Sequence, residues 1–147
     1  MYFLGSQNPD DQSAYVLRGD VYLGLKEYDK AFQDFTQSLE LSPQSQDSLV
    51  GRAISLMGLQ KYSLATRDLK EAVKRRPDDL DAITAIVTAN ILNGDYSSAK
   101  YFLERSSSLE QDPRTLAHLT ELATQVTLWP EQIKPGNASA NFQEHFY

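Results

Sequence analysis

Apolar side chains recur along this chain at the three- and four-residue spacing of amphipathic helices, and short polar turns separate the segments that carry them. The pattern then repeats with a period of 34 residues. A fixed period of this length is typical of an array of helix-turn-helix units. The recurring positions are Tyr28, Ala31 and Pro43, then Tyr62, Ala65 and Pro77, then Tyr96 and Ala99, with Gln111 in place of a third proline.

Each unit is predicted to contain two helices. The first helix of the first unit begins after Asp10 or Asp11, either of which is a suitable N-cap, and the second helix covers about residues 28–41. After the third unit, Asp112 and Pro113 start a further helix of the first type, and no second helix follows it. A lone terminal helix would cover the last apolar surface of the array.

The predicted fold class is therefore all-α, an α-solenoid of three helix-turn-helix repeats with a C-terminal capping helix. Residues 1–11 have two interpretations. They are the end of a preceding helix in a longer array, or a segment that covers the first helix with Tyr2, Phe3 and Leu4. The predicted boundaries are an N-terminal segment at 1–11, repeats at 12–45, 46–79 and 80–111, a capping helix at 112–129, and an irregular tail at 130–147.

The amino-acid composition and net charge of the chain exclude several classes of protein. The chain has 147 residues, 41% of them apolar and 23% charged, as in an ordinary globular domain. Its formal net charge of −6 argues against nucleic-acid binding, which needs clustered lysine and arginine. There is no cysteine, which excludes disulfides and thiolate chemistry and fits a cytoplasmic protein. Neither a signal peptide nor a membrane span is visible, so we expect no membrane partner.

Candidate chemistry is sparse. The sequence offers two histidines, His118 and His145, and it contains neither a glycine-rich phosphate loop nor a cluster at metal-ligand spacing. Asp78, Asp79 and Asp81 resemble a carboxylate cluster, but they follow a proline at a helix start, where aspartates cap backbone N–H groups. We therefore predict no enzyme activity, no catalytic residue, no cofactor and no metal.

The repeating residues resemble the tetratricopeptide repeat family, whose pattern places large, small and aromatic residues at fixed positions. The resemblance covers residues 12 to about 128. It implies that small residues on first helices let second helices approach closely, while large residues on second helices fill the gap to the next unit. The small residues are Gly19, Ala53, Val87, Ala31, Ala65 and Ala99, and the large ones are Phe35, Leu69 and Leu103.

The same resemblance implies a concave groove formed by one side of each first helix. These positions carry mainly apolar residues with aspartates between them, which is typical of a peptide-binding surface. The groove residues are Ser13, Val16, Asp20 and Leu23 in the first repeat, Asp47, Val50, Ile54 and Met57 in the second, and Asp81, Thr84, Thr88 and Ile91 in the third.

The expected function is thus protein–protein interaction, as an adaptor or scaffold. The partner would be an extended or helical peptide segment with apolar and basic residues. In the alternative interpretation, Val50, Ile54 and Met57 pack within the array or under the C-terminal tail. Two further functions remain open: a chaperone similar to the tetratricopeptide chaperones of type III secretion, which hold a client protein, and a self-assembling structural repeat protein.

One ligand class is disfavoured. Family members that bind the C-terminal carboxylate of heat-shock chaperones use lysine, asparagine and arginine on their first helices. Here none of the corresponding residues can hold a carboxylate, and two of them would repel it. The corresponding residues are Val16, Asp20, Gly51, Asp81 and Ala85.

Overall fold

The computed structural model describes residues 11–106, 109 and 113–128. Within these residues the regular structure is helical throughout, which confirms the predicted all-α class. The helices are α1 (Gln12–Gly24), α2 (Tyr28–Leu41), α3 (Gln46–Gly58), α4 (Tyr62–Arg75), α5 (Leu80–Leu92), α6 (Tyr96–Ser106) and α7 (Pro113–Leu128).

The chain divides into two compact units, the first ending at Arg75 and the second beginning at Arg76. In the first unit α1 packs on α2, α3 packs on α4, and both α1 and α2 contact α3. In the second unit α5 packs on α6, and α7 contacts both of them. The first unit therefore contains two of the helix pairs that the sequence period predicts, and the second unit contains one.

Polar side chains fix where the first helix of each pair begins. The carboxylate of Asp11 accepts a hydrogen bond from the backbone N–H of Ala14 at 3.1 Å, so Asp11 is the N-cap of α1. Asp79 caps α5 in the same way, since its carboxylate accepts from the N–H groups of Asp81 and Ala82. These contacts satisfy backbone donors that have no partner within the helix.

Phe35 is the centre of the first unit's core. Its side chain on α2 is fully buried, and it lies between Gly19 on α1 and Gly51 on α3. A Cβ atom at Gly19 would lie 2.8 Å from the ring, and one at Gly51 would lie 2.5 Å from it. Both distances are shorter than van der Waals contact, so the ring occupies the space that the two glycines leave.

A buried polar network also joins the first three helices. Nε2 of Gln12 on α1 donates to Oγ of Ser38 on α2 at 2.7 Å and to Oγ of Ser45, just before α3, at 3.0 Å. The hydroxyls of Ser38 and Ser48 are 2.5 Å apart, and both side chains are fully buried. Each of these polar groups has a hydrogen-bond partner within the protein, as is usual for polar groups that are shielded from water.

The turns inside the pairs share one backbone feature. Lys26, Gln60 and Gly94 stand at the same position of successive repeats, and their φ angles are 58°, 63° and 79°. Glycine adopts this left-handed conformation without strain, whereas a residue with a Cβ does so at a cost of about 1 kcal/mol. The first two turns therefore use strained residues where the third uses glycine.

The described residues contain neither a membrane-spanning helix nor a cluster of metal ligands. No helix among them is both long and apolar enough to cross a membrane. No three or more histidine, aspartate or glutamate side chains come together there as a metal site would require. The predictions made for residues 1–10, for Asp112 as a helix cap and for the tail from 130 to 147 lie outside the described part of the chain.

Candidate peptide-binding surface

In the first unit, the predicted groove residues lie on α1 and α3, which contact each other. On α1, Val16 and Leu23 are half-buried and Asp20 is exposed. Because these three residues are spaced at four and three positions, they share one side of the helix. Ser13, one turn earlier, is also exposed.

On α3, the predicted residues differ in their exposure. Asp47 is exposed, Val50 is half-buried, and Ile54 keeps 38% of its surface accessible. Met57 is 5% exposed and contributes little accessible surface. Ile54 is thus a large apolar side chain that the packing of its own helix does not bury, although its neighbour Ala53 is completely buried.

The second unit holds the predicted residues of α5. Asp81 is exposed in the first turn of the helix and Thr84 is half-buried. Thr88 is 7% exposed and its hydroxyl donates to the backbone carbonyl of Thr84 at 2.9 Å, while Ile91 is fully buried. On α5, accessible surface at the predicted positions therefore comes from Asp81 and Thr84.

Asp20 and Asp47 set the electrostatics of the surface in the first unit. The pKa of Asp20 is raised, first because neighbouring protein atoms remove water from its carboxylate and then because of the negative charge of Asp47. Two carboxylates on adjacent helices, close enough to influence each other, favour a cation between them. The surface therefore combines Ile54 with a negative potential.

Sequence analysis missed two ion pairs that join the helices of a pair. Nε and Nη2 of Arg18 donate to the two carboxylate oxygens of Asp34 at 2.8 and 2.7 Å. Arg52 and Asp68 repeat this bidentate contact one period later, at 2.8 and 2.9 Å. The hydrogen bonds that each arginine donates to its carboxylate raise the pKa of that arginine.

A signal for the pairs was present in the sequence. An arginine is followed by an aspartate 16 residues later in both of the first two repeats. In the third repeat the same positions carry Ile86 and Phe102, so an apolar pair replaces the ionic one. The residues of the ion pair in the first repeat also border an open crevice between α1 and α2, lined by Tyr15, Arg18, Phe32, Gln33, Asp34, Thr36 and Gln37.

One known protein family matches the predicted first repeat of this chain. Residues 12–45 match the tetratricopeptide repeat family. A comparison by sequence with curated proteins finds no significant match.

Solved structures of similar fold are tetratricopeptide domains. The TPR2B domain of yeast Sti1, in a complex with pHsp70, matches with a TM-score of 0.75 at 19% identity, over 80% of this chain and 96% of that one. The second such domain of human RPAP3, in complex with the HSP70 peptide SGPTIEEVD, matches with a TM-score of 0.67 at 21% identity, over 79% and 98%. The domain of Sgt2 from Aspergillus fumigatus matches with a TM-score of 0.70 at 20% identity, over 84% and 87%.

Proposed function

We propose that this chain is a tetratricopeptide repeat protein and a non-catalytic protein–protein interaction module, an adaptor or scaffold of the cytoplasm. Support comes from the match of residues 12–45 to that family and from the fold that the chain shares with solved tetratricopeptide domains. The protein binds a peptide segment of a partner protein on the surface formed by α1 and α3. The observation that carries the proposal is Ile54, an apolar side chain with 38% of its surface accessible, on the same side of α3 as the exposed Asp47. Apolar side chains flanked by polar ones mark binding surfaces.

The apolar and acidic side chains of this surface determine which ligand side chains it can bind. An apolar ligand side chain buries surface against Ile54 and the half-buried Val50, while a lysine or arginine of the ligand lies between Asp20 and Asp47. The pKa of Asp20 is raised first by the loss of water around its carboxylate and then by the charge of Asp47, and the cation would offset the second of these effects. The net charge of −6 supports a basic ligand further and disfavours nucleic acid and anionic membrane surfaces.

The ligand differs from the peptides held by some similar structures. The first such domain of Spaghetti (RPAP3) is bound to the HSP90 peptide SRMEEVD, which is acidic. In this chain the positions expected to hold a carboxylate include Gly51, which is buried against Phe35, and Ala85. Asp20 and Asp81 are exposed and would repel an acidic peptide. The proposal therefore excludes acidic C-terminal peptides as ligands.

The test compares two substitutions of exposed apolar residues in the first unit. Ile54→Asp places a charge in the proposed surface, and Leu64→Asp places one on α4, where the side chain is 46% exposed. Both proteins should show wild-type helicity by circular dichroism. We expect Ile54→Asp to lose at least tenfold in affinity, about 1.4 kcal/mol, for basic-apolar peptides selected from an array, and Leu64→Asp to bind as the wild type does.

A pull-down from the native cytosol with the same three proteins identifies the partners. One dominant client, lost with Ile54→Asp, would indicate a dedicated chaperone, whereas several partners lost together would indicate an adaptor. If Ile54→Asp is folded and binds the same peptides and partners as the wild type, the proposed surface is wrong. Binding of SRMEEVD in preference to basic peptides would contradict the proposed ligand chemistry.

A further inference from the structure

The outer side of α4 carries three positive charges in a line. Arg67, Lys70 and Lys74 are all exposed, and they are here called the α4 stripe. At about 100° per residue they lie within about 60° of one another around the helix. Leu69 and Ala72, on the opposite side of α4, are completely buried. The stripe is therefore a narrow positive ridge, about 10 Å long, that points away from the core of the first unit.

The acidic side chains of α4 are already paired with other residues. Asp68 accepts a hydrogen bond from Arg52 at 2.8 Å, and Glu71 accepts one from Arg75 at 3.0 Å. Within the described part of the chain, no ion pair involves a residue of the stripe. Two of the three cations are four positions apart, a spacing at which like charges destabilise a helix. The stripe is thus unfavourable in the free protein, and a bound anion would remove this repulsion.

The fold does not require these charges. The corresponding positions of the first and third repeats contain no cation, although α2 and α6 are second helices of the same kind. The residues at those positions are Gln33, Thr36 and Glu40, and Tyr101, Glu104 and Ser108. The helix dipole accounts for Lys74, which lies in the last turn of α4. It does not account for Arg67 and Lys70, because the effect of the dipole is confined to that turn.

We propose that the α4 stripe is a docking site for an acidic helix of a partner protein. An antiparallel helix with carboxylates at positions i, i+4 and i+7 spans the same length as the stripe, so each carboxylate faces one cation. In an extended segment, alternate side chains are about 6.8 Å apart, so three of them span about 14 Å and do not match the stripe. The spacing of the cations therefore favours a helical ligand.

The charge of the whole chain favours a short acidic helix over a larger polyanion. Removing the three charges of the stripe from the formal net charge of −6 leaves −9 for the rest of the chain. A nucleic-acid duplex or an anionic membrane extends well beyond the stripe, so the rest of the chain would repel it. A second copy of this chain would be repelled in the same way. A helix with its carboxylates on one side concentrates its negative charge at the stripe.

Exposed ion pairs determine the strength of this contact. Loss of one such pair lowers affinity by about 1.4- to 5-fold, so loss of all three should lower it roughly tenfold. Binding should also weaken as the salt concentration rises, because salt screens the attraction. The site goes beyond the proposed peptide binding and does not depend on it, since it lies on a different helix and selects the opposite charge.

A designed peptide provides the probe for this site. It is a fluorescently labelled helix of alanine and glutamine with glutamates at positions i, i+4 and i+7. A control peptide of the same composition distributes its glutamates around the helix. In anisotropy titrations at low salt, we expect the patterned peptide to bind the wild type at least fivefold more tightly than the control peptide does. Equal binding of the two peptides, or no binding of either, would overturn the proposal.

Two triple variants of equal net charge locate the binding site. The first replaces each residue of the stripe by glutamine. The second replaces three exposed lysines elsewhere by glutamine, at Lys26, Lys30 and Lys100. Glutamine has nearly the helix propensity of lysine, so both proteins should show wild-type helicity by circular dichroism. The stripe variant should bind the patterned peptide roughly tenfold more weakly, and the control variant within twofold of the wild type. Equal losses would show a general effect of charge and refute the site.

Charge reversal at the middle of the stripe tests the pairing directly. A peptide with lysine in place of the central glutamate should bind Lys70→Glu more tightly than it binds the wild type, whereas the original peptide should show the opposite preference. If neither peptide distinguishes the two proteins, the stripe is not the contact. Tighter binding of a DNA duplex or of phosphatidylserine vesicles than of the patterned peptide, at the same salt concentration, would overturn the choice of an acidic helix.

Discussion

The packing of Phe35 against two glycines makes a quantitative prediction about the first unit. One repeat later the corresponding positions carry the smaller leucine and two alanines, which suggests that the volumes are matched as a set. We therefore predict that Gly19→Ala, Phe35→Leu and Gly51→Ala each destabilise the protein singly, and that the triple variant restores most of the lost stability.

The magnitudes follow from the distances. A methyl group at Gly51 would lie 2.5 Å from the buried ring and one at Gly19 would lie 2.8 Å from it, and such overpacking costs about 1–3 kcal/mol. The higher helix propensity of alanine returns about 1 kcal/mol, so each glycine variant should lose up to about 2 kcal/mol. Phe35→Leu should lose about 1–2 kcal/mol through the cavity it leaves. In the triple variant the two methyl groups fill that cavity, so we expect stability within about 1 kcal/mol of the wild type.

Urea denaturation followed by far-UV circular dichroism measures these differences, provided that the slope of the transition does not change between variants. The matched control is Gly24→Ala, because a Cβ atom there meets no other group within 4 Å. It should leave stability unchanged or slightly higher. If Gly51→Ala were tolerated as well as Gly24→Ala, or if the triple variant lost the full sum of the single changes, the proposed packing of Phe35 would be wrong.

Three further predictions concern polar and turn residues. Arg52→Met should lower the free energy of unfolding by about 2–3 kcal/mol, because it leaves the largely buried carboxylate of Asp68 without its bidentate partner. Replacing both Arg52 and Asp68 by apolar residues, as in the third repeat, should cost little. If chemical denaturation showed the same loss for the single and the double variant, this explanation would be wrong. Lys26→Gly and Gln60→Gly should each raise the free energy of unfolding by about 0.5–1 kcal/mol by relieving a positive φ, and a loss of stability would show that the turns are unstrained. Asp20 has a raised pKa, so its contribution to stability is present below its ordinary pKa and is lost as pH rises through the raised value. Asp20→Asn should therefore stabilise the protein at neutral pH and not in acid, and a gain that is independent of pH would refute the electrostatic explanation.

The positions of the helices and their order follow from the amino-acid sequence alone. The second helix was predicted at residues 28–41, and α2 covers Tyr28–Leu41. Asp11 and Asp79 were both among the expected N-caps, and both act as caps. These features are local, because helix periodicity, caps and turns involve residues within about four positions of one another in the chain.

Which side chains are buried, and what they contact, depends on how the helices pack together. The helical period places Ile54 and Met57 on one side of α3, yet the first is 38% exposed and the second 5%. The period did not identify Asp68 on α4 as the partner of Arg52, although the spacing of these two charged residues was visible in the sequence. The period also gave no sign that Leu17 and Val21 on α1 are exposed. The physical reason is that a period fixes the direction of a side chain from its own helix axis, whereas its environment depends on helices that come from distant parts of the chain.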